Sequence, residues 1–280
     1  SSALGVAAAI VQHGVSLLAT VPALLRQFLL LQERGSVGLG RLRAVLCTGS
    51  TLTPSVAAAF TAAYHVPVWN YYGLTETAGL CAGVTPGAAA PPDSFGLPLG
   101  CRMRIIDDNG RDLPPAQAGE LLVASDRLMT GYFDDPAATA AVLRDGWFAT
   151  GDLVRRDAQG FLFLLGRRSD AIKDARGELV HPEAVERVLE EHPMVAEAGV
   201  CGIRDADGTE RLHAGIVQRA GGIPELWREL RELVLTRLGP TRLPAQFRQL
   251  PELPRGVNAK LNRRRLAEIL DQPPTGVACS

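Results

Sequence analysis

The chain has 280 residues, room for two domains of ordinary size. Its 29 basic and 30 acidic side chains nearly cancel, which excludes a long-range nucleic-acid footprint. The five cysteines lack paired spacing, which reads as reduced and cytoplasmic, and no run of ~20 apolar residues is available to span a membrane.

The first residues carry neither an initiator Met nor a charged leader and read as a fold already under way. A helix is predicted over 3–12, ended by Gly14, then a short apolar strand over 15–20 stopped by Pro22. Residues 24–32 form a helix that is apolar nearly all round, which asks for a neighbour on every side. The continuous apolar run 42–47 suits a parallel strand covered on both faces. Thr53-Pro54 opens a helix to about Tyr64, with Pro at its first position, and a third strand starts near Val68. Alternating strands and helices with short connections predict a doubly wound parallel α/β subdomain over 1–96.

The character changes after Thr85. Short strands over 102–106, 120–124 and 161–165, with turns at Asp107-Asp108-Asn109-Gly110 and Asp157-Ala158-Gln159-Gly160, predict a small β-rich subdomain over 97–166. Its one helix is placed at 136–143. A polar break at 167–170 reads as a hinge. Residues 171–270 alternate helices and strands as a compact α+β domain, and 271–280 form a tail.

Four groups carry candidate chemistry. The first lies at the end of the third strand: Asn70, Tyr71, Tyr72, Gly73, Thr75 and Glu76. Tyr72 suits stacking on a base, Asn70 a base edge, Thr75 a phosphoryl oxygen, and the Glu76 carboxylate is a hard ligand for Mg2+. The second is Thr150-Gly151-Asp152, an Asp read as ending a strand and able to accept from two ribose hydroxyls. The third runs from Gly166 to Lys173, where Arg167 offers donors and Lys173 a second cation. The fourth is Lys260, on a small-residue loop inside a run with five basic side chains over 254–266. Each group also reads as an ordinary turn or solvated charged face. Gly49, Ser50 and Thr51 follow the second strand and lie beside the first group. The histidines show no metal-ligand spacing, and no nucleophile elbow or Walker loop is present.

Taken in order, the strings Tyr-Gly-Leu-Thr-Glu-Thr, Thr-Gly-Tyr-Phe, Asp-Gly-Trp-Phe-Ala-Thr-Gly-Asp-Leu, Gly-Arg-Arg-Ser-Asp-Ala-Ile-Lys and Asn-Ala-Lys-Leu-Asn-Arg resemble the adenylate-forming enzymes. These include acyl- and aryl-CoA ligases, luciferases and peptide-synthetase adenylation domains. The resemblance implies ATP (or AMP), Mg2+ and coenzyme A. It implies adenine held by Asn70 and Tyr72, with Gly49, Ser50 and Thr51 lining the base and acyl pocket. It implies Thr75 on the α-phosphate, Glu76 on Mg2+, Asp152 with Arg167 on the ribose, Gly73 beside the acyl group, and Lys260 as the adenylation lysine. Lys173 and Arg176-Gly177 would face the second half-reaction, in which a rotated C-terminal domain admits a thiol. Leu74 after Gly73 favours CoA over a carrier-protein thiol as acceptor.

The family's phosphate-binding loop and first subdomain have no counterpart here. The chain is therefore expected to be the C-terminal portion of a carboxylate–CoA ligase, completed by its missing N-terminal part, a protein partner or a homo-oligomer. The alternative is a truncated, non-catalytic homologue that binds adenine nucleotide or a partner. Small and apolar residues at 78–81 suggest an aromatic or medium aliphatic acid.

Overall fold

The computed structural model describes residues 2–33, 35, 37–85, 87, 89–173, 179–205, 208–219, 225–256 and 260–272. The chain divides into two compact units, 1–168 and 169–280. None of the described helices is long and apolar enough to cross a membrane.

Unit 1 begins with α1 (Ala3–His13), capped by the Ser2 hydroxyl at one end and left-handed Gly14 at the other. Then come β1 (Leu17–Thr20), α2 (Pro22–Glu33), β2 (Ala44–Cys47), α3 (Pro54–Tyr64) and β3 (Val68–Leu74). Pro22 starts α2 as well as stopping β1, because a missing N–H costs nothing in a first helical turn. β1, β2 and β3 pair in parallel, but β3 then pairs antiparallel with β4 (Gly79–Gly83), and β4 with β5 (Leu97–Pro98). The expected parallel sheet is thus a mixed one, in the order β1-β2-β3-β4-β5. Phe28 of α2 meets Phe60 and Tyr64 of α3 edge-on, and the Tyr64 hydroxyl donates to the Phe28 carbonyl at 2.7 Å. These rings and Leu25, Val45 and Ile10 make one core.

The second sheet of unit 1 runs β10-β9-β7-β6, from β6 (Arg102–Ile106), β7 (Ala118–Ala124), β9 (Trp147–Arg156) and β10 (Leu162–Arg167). α4 (Pro136–Val142), capped by Asp135, leads into the short β8 (Leu143–Arg144) on β9. β9 is ten residues long and carries Thr150-Gly151-Asp152 in its middle, not at its end. The core here joins Tyr72, Cys81 and Phe95 to Ile105, Leu121, Val123, Val154 and Leu162. The strand bearing the first candidate group is therefore packed into the β-rich part.

Unit 2 opens with the hairpin β11 (Ile172–Lys173) and β12 (Leu179–Val180), then α5 (Pro182–Leu189), β13 (Val195–Arg204) and β14 (Glu210–Gln218). α6 (Leu226–Leu238), β15 (Gln246–Gln249) and α7 (Arg263–Asp271) complete it. The sheet order is β13-β14-β15. α5 and α6 bury Val185, Leu189, Leu226 and Leu230 with Val200 and Ile216, while α7 buries Leu266 and Leu270 with Cys201 and Ile203. β13 is an edge strand, and carboxylates of α5 and its C-cap take two of its amides: Val200 N–H donates to Glu186 at 2.8 Å and Ala198 N–H to Glu190 at 3.2 Å.

Candidate functional site

The end of β3 is built from both sides. Register pairs Asn70 with Cys47, the last residue of β2, so Gly49, Ser50 and Thr51 leave β2 beside the end of β3. Gly49 and Ser50 are exposed, Thr51 half-buried. The Asn70 amide donates to the Ser94 carbonyl at 3.2 Å. Ser94 is buried, and its hydroxyl donates to the Leu162 carbonyl and accepts from the Gly96 amide, which ties this corner to β10. Tyr71 is half-buried.

Tyr72 turns inward. Its ring packs on Phe95 with centroids 4.7 Å apart, and its hydroxyl donates to Asp152 at 2.5 Å. Burial first, then the neighbouring Asp152 charge, pushes the Tyr72 phenol well above its ordinary range, so it stays a donor. On the other side Arg167 meets Asp152 at 3.1 Å, from the position directly opposite on β10. Thr150 adds a third tie: its hydroxyl donates to the Leu121 carbonyl and accepts from the Asp152 amide. Asp152 is only 3% exposed, while the Arg167 side chain is 45% exposed.

Beyond Tyr72 the strand bulges. A Cβ on Gly73 would fall 2.0 Å from the Gly79 carbonyl oxygen, so the close approach at Gly73 is to β4 of its own sheet. The Thr77 hydroxyl closes the following turn, accepting from the Leu74 amide and lying 2.8 Å from the Gly79 carbonyl. That turn leaves Thr75 exposed and Glu76 half-buried. The Glu76 carboxylate accepts from the Tyr132 hydroxyl at 2.8 Å, and its carbonyl accepts from the Met129 amide. Desolvation, then the hydrogen bond to Glu76, raises the Tyr132 phenol. Residues 78–81 divide between faces: Leu80 is exposed, but Cys81 is buried in the core, so it does not line an open pocket.

Unit 2 carries Lys260, exposed, between two zipped flanks. The Gly256 amide donates to the Lys260 carbonyl at 2.8 Å, the Asn262 amide to the Pro254 carbonyl at 2.9 Å, and Arg255 bridges to Leu261 through the backbone. Arg255 also pairs with Glu197 at 2.8 Å, and the Asn262 side chain caps α7 by accepting from the Arg265 amide. The basic run is not a plain solvated face: Arg263 is paired and half-buried, Arg255 is exposed but paired with Glu197, and Arg265 pairs with Glu268. Lys173 pairs with Leu179 through the backbone of β11; its side chain and Arg176-Gly177 lie outside the described residues.

Tyr132, Thr77, Ser94 and Arg263 are structural partners that sequence reading did not assign. Tyr132 sits in the Thr-Gly-Tyr-Phe string, but its partner Glu76 is 56 residues away. Among the described residues no group of three or more His, Cys, Asp or Glu could hold a metal ion. Burial pushes the Cys47 and Cys201 thiols up to about 12 and Cys81 to about 11, which removes them as nucleophiles.

Comparison with known proteins shows the family. The model of the AMP-binding enzyme matches residues 3–133, and that of the AMP-binding enzyme C-terminal domain matches 184–260. A fatty acid–[acyl-carrier-protein] ligase, ScoC of Streptomyces coeruleorubidus, is 35% identical over 91% of this chain and 50% of its own. An indoleacetate–CoA ligase of Aromatoleum aromaticum is 33% identical over 94% of this chain and 51% of its own. The crystal structure of the anthranilate CoA ligase AuaEII in complex with anthranoyl-AMP superposes with a TM-score of 0.88 at 25% identity, over 96% of this chain and 52% of that one. The chain thus spans about half the length of the curated relatives it matches.

Proposed function

The chain belongs to the AMP-binding, adenylate-forming enzymes, and from that premise we propose that it is the C-terminal portion of an ATP-dependent carboxylate–CoA ligase. The observation that carries this reading is the buried Asp152, held between Tyr72 and Arg167 beside the strand end that carries Thr75 and Glu76. A buried carboxylate held in place by hydrogen bonds is preorganised to accept from a diol, and its neighbours offer a hydroxyl and a second carboxylate to phosphate and metal.

In this proposal Asn70, with Gly49, Ser50 and Thr51, borders the adenine, while Tyr72, buried against Phe95, acts through Asp152. Asp152 and Arg167 take the ribose, and Thr75 takes the α-phosphate. The Glu76 carboxylate beside the Thr75 hydroxyl would hold Mg2+ as a hard oxygen ligand. When bound, that ion neutralises charge on the phosphates. The substrate carboxylate oxygen attacks the α-phosphorus, the α–β bridging bond breaks, and pyrophosphate leaves with the electron pair. Lys260 offers its cation to the carboxylate and α-phosphate during this step. A thiolate then attacks the acyl carbon and AMP leaves, with Lys173 on the side of that second step.

ATP–pyrophosphate exchange tests the reading, on this chain alone and with the rest of the ligase supplied, against aromatic and medium aliphatic acids. Exchange that disappears in Lys260→Ala, with an unchanged circular dichroism spectrum, supports it. No exchange with any acid in the completed form overturns it and favours a non-catalytic nucleotide-binding homologue. The 35% identical ligase named for an acyl-carrier protein supports a second acceptor, a carrier-protein thiol. Supplying CoA and a pantetheinylated carrier protein in parallel separates the two.

A further inference from the structure

The Lys260 loop is anchored by a side chain to which the proposed reaction assigns no part. Arg263 is the first residue of α7, three positions after Lys260. Its guanidinium, with the side chain only 19% exposed, reaches four acceptors. It donates to Glu183 at 2.6 Å, to the Val200 carbonyl at 2.6 Å and to Glu186, and it meets Asp170 at 3.4 Å. Glu183 and Glu186 lie on α5, Val200 on the edge strand β13, and Asp170 just inside the start of unit 2. One planar cation therefore joins the flank of the Lys260 loop to a helix, a sheet edge and the boundary segment.

The chemistry of the contact calls for Arg. A guanidinium has five donors in a rigid fork, whereas an ammonium is a single point charge that cannot serve two carboxylates and a carbonyl in one plane. Burial raises the Glu183 carboxyl and the Arg263 charge opposes that rise, so the carboxylate relies on the guanidinium to stay ionised. The opposite flank is pinned in the same way by Arg255 on Glu197. Between the two pins the loop backbone is zipped at Gly256–Lys260 and at Pro254–Asn262.

We propose that Arg263 is a positioning residue for Lys260: the guanidinium sets where the loop leaves α7, and the adenylation step depends on it while the thiol-transfer step does not. The proposal rests on the reading of Lys260 as the adenylation lysine.

The test uses the completed ligase and the variant Arg263→Lys, which keeps the charge and loses the fork. Adenylation is read as pyrophosphate release, and thiol transfer as AMP release from chemically prepared acyl-adenylate plus CoA. A slip of ~1 Å in a reacting group costs about 100-fold, so adenylation kcat should fall ~10-fold or more while thiol transfer stays within ~2-fold. Equal losses in both steps, or no loss in either, overturn the proposal while leaving the ligase reading intact. A wild-type enzyme without adenylation sinks the ligase reading instead. Amide hydrogen exchange then still decides on the anchor: the Gly256 and Asn262 amides should exchange faster in Arg263→Lys, with β14 amides unchanged, and unchanged exchange at the two loop amides overturns it.

Discussion

Asp152 owes its place to partners far away in the chain. Tyr72 reaches it across 80 residues, and the bond is buried at both ends. Tyr72→Phe removes the donor but keeps the ring on Phe95, so it leaves a buried carboxylate with one partner fewer. The expected cost is about 1–3 kcal/mol, read as a lower urea midpoint, with a raised KM for ATP in the completed enzyme. The same phenol predicts an alkaline weakness. Its folded pKa lies well above the ordinary value of 10.0, so below that value both folded and unfolded chains hold the proton and stability is whole. As pH rises past it the unfolded chain gives up the proton first, and stability drains away toward the folded pKa. Thermal melts above pH ~10 should therefore steepen in their pH dependence, and Tyr72→Phe should flatten that slope. A slope unchanged in the variant would place the weakness elsewhere. Asn70, Thr75, Glu76, Asp152 and Arg167 were legible in the sequence as candidates, by residue type and spacing. Their ties were not: Glu76–Tyr132 spans 56 residues and Arg263–Glu183 spans 80, and no local pattern records such pairs.

At the level of elements, the turn from β3 into β4 is where backbone geometry controls side-chain placement. Gly73 and Gly79 face each other there and answer to different constraints. A methyl on Gly73 would strike the Gly79 carbonyl at 2.0 Å, so Gly73→Ala should break the bulge and cost about 3 kcal/mol or more in urea unfolding. Gly79 has open space but φ +97°, so Gly79→Ala should cost roughly 1–3 kcal/mol through backbone strain alone. If the two variants proved equally mild, the bulge would not be what aims Glu76. This turn also shows why some elements escaped sequence reading. β4 reads Gly-Leu-Cys-Ala-Gly, which looks like a loop because strands are normally poor in glycine, yet the bulge and the packing of Cys81 demand it. β9 hid in the same way, with Gly151 at φ +69° inside an otherwise alternating run. The helices α1, α2 and α3 were legible because their caps, prolines and apolar spacing are local signals.

Across the molecule, the two units differ in how completely they bury their apolar surface. Unit 2 covers both faces of its sheet, one with α5 and α6, the other with α7. Unit 1 does not: β1 ends its sheet with Leu17 at 51% exposure, and Leu4 and Val11 of α1 and Leu30 of α2 stand at 60%, 57% and 44%. An apolar edge strand with unpaired backbone groups is a template for another strand. In the ligase reading this edge meets the remainder of the enzyme, and without that cover a second copy is the readiest substitute. The chain alone should then show concentration-dependent self-association by light scattering. Leu17→Lys should suppress it, because an edge lysine keeps its stem on the surface and its charge opposes a second strand. Leu235→Lys, at a 41% exposed position on α6, carries the same change in charge and should leave association unchanged. Equal effects of the two variants would trace the association to net charge, and a chain monomeric at all concentrations would show that the β1 edge is stable uncovered.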